Sequence, residues 1–394
     1  MAATLPHTGR DLRFDSLRGL MLVVMTINHL PSLLSRFTDE PFGVFSAAEG
    51  FVFLSGLLAG LVYSRRLRRE GADSLWQSSR GRGWMIWRWQ VGAIVAALLG
   101  IQAVCLIMGF CSSKAPTLFY QHPWLAVVMG STLLYQPGML DILPMYCAFV
   151  TALPIVLIGM EKGYKAVLIA TSVVLWALSQ NLYGSGIDGA PLYPLHVGSF
   201  NLFAWQIVFF GGVLIGRERA LKPEVPLVPV RPGLLLFVAA FAFYGWGVQH
   251  RGWVPPHWSN AFFGIMINKT ALGLFRLADF GAVAYLIAVL GGQFPRLLTW
   301  RPLAFLGQNS IAVFAVQSVV AVVLVEFNWP FATPARNLIT TALALSVLWI
   351  TAAVYEAVKK RYAASGRGDD RADPIHARQS ASLPVTAGND VRAA

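Results

Sequence analysis

The sequence predicts an all-α, polytopic bundle of about ten transmembrane helices with both termini cytoplasmic. Three observations carry that expectation. First, the 394-residue chain is 56% apolar and only 13% charged, whereas soluble chains carry about a quarter charged residues. Second, apolar runs long enough for a bilayer core, which takes about 20 residues per helix, recur along its length. They fall near 17–35, 44–63, 84–110, 142–160, 166–182, 200–216, 232–248, 270–290, 303–325 and 336–356. Third, the positive charges are distributed by side. With the N-terminus inside and ten spans, only Arg36, Lys114, Arg251, Lys269, Arg276 and Arg336 of the 31 Lys and Arg fall outside the cytoplasmic segments. One extra span reverses every downstream loop and destroys that asymmetry.

The runs divide the chain into a cytoplasmic N-terminus (1–16), a transmembrane domain (17–356) and a tail (357–394). The tail, rich in small residues, charge and proline, reads as disordered and cytoplasmic. Arg10, Arg13 and Arg18 ahead of the first run resemble a signal peptide. The run outlasts an ordinary h-region and no small-residue cleavage site follows, so it reads as an uncleaved first helix. Segment 122–136 is apolar enough for a re-entrant or interfacial helix. The formal charge of +12 lies in basic loops beside spans, so nucleic-acid binding is excluded. Cys105, Cys111 and Cys147 show no metal-ligand spacing and no paired framework, with one disulfide as the residual possibility. No metal site, phosphate-binding glycine loop or nucleophile elbow is present.

Polar groups inside spans are costly and tend to be functional. On the first helix Asp15, Arg18, Leu22, Met25, Thr26 and His29 follow steps of three and four, so they share one face. Arg18 and His29 lie about 16 Å apart along the axis. Pro31 is expected to loosen the backbone just after the imidazole. His29 is therefore the candidate catalytic group, against the alternative of an interhelix hydrogen bond. Asp15 is read as structural. The second helix opens on Glu49, at a depth similar to His29. Either it orients the imidazole or it is an interfacial acid. Ser55 follows as a structural polar group, and Gly56 and Gly60 as a close-packing pair. The eighth run carries Lys269, Arg276 and Asp279 on one side. Arg276 and Asp279 suit mutual pairing, Lys269 suits an acyl carboxylate or a developing oxyanion, and Arg276 is the other candidate to bind such a carboxylate on the substrate. Asp141, Gln308, Asn309, Ser310 and Gln317 are further buried polar candidates. The densest basic patch, Arg65 to Arg88, enforces topology and also suits a phosphate-bearing partner.

Several of these residues form recognisable blocks. Arg10-Asp-Leu-Arg13-Phe-Asp15-Ser-Leu-Arg18-Gly19, Asn28-His29-Leu-Pro31 and Ala48-Glu49-Gly-Phe-Val-Phe-Leu-Ser55-Gly56 resemble the OpgC family, within the wider acyltransferase-3 superfamily. Asp141-Ile-Leu-Pro144, Ala204-Trp205-Gln206, Lys269-Thr-Ala-Leu-Gly273 with Arg276, and Leu306-Gly307-Gln-Asn-Ser310 follow in consistent order over roughly 10–355. The resemblance implies a ten-helix fold in the bacterial inner membrane and an acyl-CoA-dependent O-acyltransferase. The acyl group is succinyl from succinyl-CoA, no cofactor is covalently bound, and the acceptor is a periplasmic glucan. It further implies His29 as the catalytic histidine, with Arg13 and Arg18 on the donor side. Where the superfamily often has a ninth-helix histidine, this chain has Gln317. The rival classes are a secondary transporter, which calls for inverted repeats with matched broken helices, and a component of lipid-linked sugar export. The sequence shows no such internal symmetry.

Overall fold

The computed structural model describes residues 11–109, 122–133, 136, 138–182, 200–226, 228–325 and 332–369, without the side chains of 181–182 and 363–369. Arg10, Cys111 and Lys114 lie outside the described residues. Thirteen α-helices and no strand occur among them. These are α1 (Leu12–His29), α2 (Ser35–Thr38), α3 (Ala47–Met108), α4 (Pro123–Ser131), α5 (Ile142–Glu161), α6 (Lys165–Leu182) and α7 (Leu202–Leu221). There follow α8 (Pro232–Arg251), α9 (Asn260–Ile267), α10 (Leu274–Gln293), α11 (Arg301–Gln308), α12 (Ser310–Val325) and α13 (Pro334–Asp369). Five are long and apolar enough to cross a membrane, and the bent pair α11–α12 makes six. Each of the sequence's ten runs overlaps a helix, but charge or length keeps α1, α6 and α7 out of that set.

Local chemistry explains the boundaries. Asp11 caps α1 by accepting the Arg13 N–H at 3.1 Å. The helix stops at His29 rather than near 35 because Leu30 precedes Pro31. A residue before proline is pushed out of the helical region, and Leu30 sits at φ −98, ψ 152. Pro31 thus ends the helix instead of loosening it, and His29 becomes its last residue.

The second and third runs join in α3, whose 62 residues amount to about 93 Å of rise, far beyond one bilayer crossing. Gly71 breaks it at φ 85, ψ −178, a region open essentially only to glycine. Arg66 hydrogen-bonds Ser78 across the break. Twelve residues of straight helix put those groups about 18 Å apart, so the axis folds sharply at Gly71.

Small residues set the closest crossings. A Cβ on Gly56 or Gly60 falls on the carbonyls of Phe209 or Val213, and one on Gly212 or Gly216 on those of Phe53 or Leu57. The expected packing role of Gly56 and Gly60 is thus met by a matching pair on α7. Gly19 and Gly307 make the same reciprocal approach between α1 and α11, against Leu303 and Asp15. Gly212→Val is therefore expected to force α3 and α7 apart and cost about 1–3 kcal/mol. Its melting temperature in detergent reads this directly, and melting with the wild type removes the close crossing as a constraint.

The segment at 122–136 contains α4, nine residues long and so about 14 Å, too short to span. It lies on the second half of α3, where the Trp87 indole donates to the Ser131 carbonyl at 2.8 Å. Cys105 is disulfide-bonded and Cys147 is free. The chain divides into units 1–352 and 353–394. In the second, α13 runs on to Asp369, well into the segment expected to be disordered. A Glu356–Lys359 ion pair at 2.8 Å and Lys359 over the Tyr355 ring support that extension. Residues 370–394 lie outside the described set.

Candidate active site

The polar stripe of α1 faces inward. Leu22, Met25, Thr26 and Asp15 are at most 3% exposed and Arg18 is 8% exposed. At its far end His29 lines a cavity of about 260 Å³. Three chain segments meet there: the end of α1 (Met25, Asn28), the start of α3 with Asp39 before it (Ser46, Ala47, Ala48), and the start of α5 (Asp141, Ile142). Phe200, Lys269 and Thr270 close the remaining wall. The imidazole Nδ1 is buried with no hydrogen-bond partner, so Nε2 is the nitrogen available to a substrate.

Glu49 does not orient that imidazole. Its Oε2 accepts from the Ser46 N–H at 3.0 Å and the Ser46 hydroxyl at 2.7 Å, forming a capping box at the start of α3. Its Oε1 accepts from Arg276 Nε at 2.5 Å. Both oxygens are occupied, and the Glu49 side chain is 1% exposed. The Arg276 guanidinium of α10 explains this, because it takes the oxygen that Ser46 leaves open.

Arg276 likewise departs from the sequence expectation. It does not pair with Asp279. Nε meets Glu49, Nη2 meets Glu40 at 2.7 Å, and Nη1 reaches the Ile267 carbonyl at 3.4 Å. With its side chain 4% exposed and all three nitrogens engaged, it is a strut rather than a substrate ligand. Asp279 instead accepts the Val44 N–H at 2.8 Å. Gly43 and Gly245 stand so close that a Cβ on either collides with its carboxylate. Together Arg276 and Asp279 anchor the 40–46 loop to α10.

Lys269 lies in the turn between α9 and α10, since Gly273 is the N-cap of α10. The helical spacing that placed it on one face with Arg276 therefore does not apply. It reaches the cavity from that turn and is exposed.

The remaining candidates are spread more widely. Arg13 is half-buried, paired with Asp11 at 2.6 Å and donating to the Gly291 carbonyl at 2.6 Å. Arg18 donates to Ser310 Oγ at 2.5 Å and stands 5.5 Å over the Phe51 ring, which stacks on Phe314. Neither lines the His29 cavity. Ser310 opens α12 beside the 86° bend, so the break in the ninth run is where α1 is tied. Gln317 accepts from Thr26 at 2.5 Å. Ser55 is buried at 2% exposure, away from the cavity lining. Of the basic patch, Arg65, Arg68, Arg69, Arg80 and Arg88 are exposed. Among the described residues no three His, Cys, Asp or Glu are grouped as metal ligands.

Sequence reasoning missed Asp39, Glu40, Ser46, Phe200 and Thr270. One of them carried a readable signal: Ser46-Ala-Ala-Glu49 is the S-x-x-E pattern of a helix start.

Apolar helices long enough to cross a bilayer, held by ion pairs in their interior and opening on a histidine-lined cavity, define a helical membrane protein. The chain belongs to the OpgC family: the family model described as OpgC protein matches residues 10–360. That membership implies a transferase. No curated protein and no solved structure matches the chain.

Proposed function

We propose that this protein is an acyl-CoA-dependent O-acyltransferase of the bacterial inner membrane. In this reading it has ten spans and cytoplasmic termini, and it moves a succinyl group to a hydroxyl of an extracytoplasmic glucan, in keeping with the acyltransferase-3 superfamily. The observation that carries the proposal is His29 at the end of α1, facing a cavity of about 260 Å³ rimmed by Asn28, Asp39, Ser46, Asp141, Thr270 and Lys269. Hydroxyl-rich ligands match such a rim of donors and acceptors, and Phe200 adds an apolar face.

In the proposed step Nε2 takes the proton of the acceptor hydroxyl as its oxygen attacks the thioester carbonyl. The C–O bond forms and the C–S bond breaks. The imidazolium then returns its proton to the departing CoA thiolate. The alternative runs in two steps. Nε2 attacks the thioester, forming a C–N bond as C–S breaks and CoA leaves as the thiol. The acceptor oxygen then forms the C–O ester bond as C–N breaks and its proton passes to the freed imidazole. Lys269 meets the distal carboxylate of the succinyl group. The exposed arginines flanking Gly71 take the CoA phosphates, a role better suited to them than to Arg13 and Arg18, which are engaged elsewhere.

The test is transfer of label from succinyl-CoA to glucan by purified protein in lipid vesicles, with acetyl-CoA as the comparison donor. Lys269→Met is expected to lower succinyl transfer about tenfold, the order of a charge-assisted hydrogen bond, and to spare acetyl transfer. No transfer by the wild type ends the proposal. An equal fall with both donors ends the carboxylate role of Lys269.

A further inference from the structure

The turn that carries Lys269 has no helical ladder of its own, yet four successive carbonyls in it are held from outside. The Lys269 carbonyl accepts from the Trp205 indole N–H at 3.1 Å, and the Thr270 carbonyl accepts from the same donor at 3.2 Å. The Thr270 carbonyl also accepts the Asn201 N–H at 3.2 Å. Gln180 donates to the Ala271 carbonyl at 2.5 Å, and the Trp176 indole to that of Leu272 at 2.9 Å. Leu272 sits at φ 50, a left-handed conformation that a branched side chain adopts only when its surroundings impose it. The donors come from α6 and from α7 with its N-cap, so the turn is docked on a neighbouring pair of helices.

Trp205 has the widest reach of these. It is 0% exposed, and its ring meets Phe200 edge-on at 4.6 Å and 83°. Phe200, Lys269 and Thr270 all line the cavity. One buried indole therefore touches, through its N–H or its ring, every residue on that wall.

We infer that Trp205 is a positioning residue for acyl-donor recognition, fixing the backbone from which Lys269 reaches the donor carboxylate. A lysine has a long stem with many rotamers, so its placement depends on where its backbone is held. Asn201 shares the Thr270 carbonyl, and the Leu272 N–H reaches the Lys269 carbonyl from within the turn at 3.4 Å, but the donor that ties the Lys269 carbonyl to the neighbouring helices is Trp205. Tryptophan suits the place because its N–H donates without requiring a second partner and its ring fills the buried site.

This inference rests on the carboxylate role proposed for Lys269, and the experiment keeps the two apart. The ratio of kcat/KM for succinyl-CoA to that for acetyl-CoA is measured in wild type, Trp205→Phe, Lys269→Met and the double variant. Trp205→Phe keeps a ring and removes the donor. It is expected to lower the ratio about three- to tenfold, the scale of one hydrogen bond, through the KM for succinyl-CoA with kcat for acetyl-CoA retained. The double variant is expected to show the same ratio as Lys269→Met, because the two residues act through one contact. An unchanged ratio in Trp205→Phe where Lys269→Met lowers it, or a double variant whose losses multiply, overturns the role of Trp205 alone. Equal losses with both donors in Lys269→Met overturn the Lys269 reading and this inference with it. Should Trp205→Phe fail to fold, 3-benzothienylalanine at position 205, which replaces the indole N–H by sulfur in the same outline, gives the same readout.

Discussion

His29→Ala is expected to lower acyl transfer about 10²–10⁴-fold, the range associated with losing a positioned general base, while the protein melts with the wild type. The second half of that expectation follows from what the ring touches. Because Nδ1 has no hydrogen-bond partner, truncating the side chain orphans no buried donor or acceptor, and orphaned groups are what make polar deletions expensive. The residue also ends its helix, with Leu30 already extended, so no interior turn depends on it. Labelled succinyl transfer and a melting curve on the same purified sample separate chemistry from folding. Near-wild-type transfer by His29→Ala removes the proposed base. Lost activity accompanied by a large drop in melting temperature assigns the residue to packing instead.

What the sequence revealed and what it concealed divide along the range of the interactions. The stripe Asp15–Arg18–His29 was legible because a helix repeats itself every three to four residues, and all three lie on the inward face of α1. Gly56 and Gly60 were legible as packing residues for the same local reason. Their partners Gly212 and Gly216 lie far along the chain, and only the crossing of α3 with α7 relates the two pairs. Arg276 shows the limit clearly. Its nearest acid at helical spacing is Asp279, so a local reading pairs them. Burial instead brings Glu49 and Glu40, more than two hundred residues away, against the guanidinium. Lys269 fails for a related reason: an apolar run does not reveal that Gly273 begins the helix and leaves the lysine in a turn. The break at Gly71 hides inside a stretch whose arginines and glutamate are good helix formers, and only a positive φ shows it.

Arg276→Met is expected to be the most destabilising single change in the protein. It leaves the Glu49 carboxylate, 1% exposed, and the Glu40 carboxylate, 16% exposed, facing one another without the cation that joins them. Removing one member of a buried pair costs about 3–5 kcal/mol because the survivor stays charged in a poorly solvated place. The damage reaches the cavity through the chain. Glu49 holds the N–H and hydroxyl of Ser46, and Ser46, Ala47 and Ala48 form one side of the cavity, so activity is expected to fall along with melting temperature. Adding Glu49→Gln to Arg276→Met removes one uncompensated carboxylate while keeping an acceptor for Ser46. That double variant is expected to melt above Arg276→Met alone, a coupling that independent sites do not show. If Arg276→Met melts with the wild type and instead raises the KM for the acyl donor, the guanidinium belongs to the substrate after all. The ion pairs with Glu49 and Glu40 then describe a resting arrangement that the donor displaces.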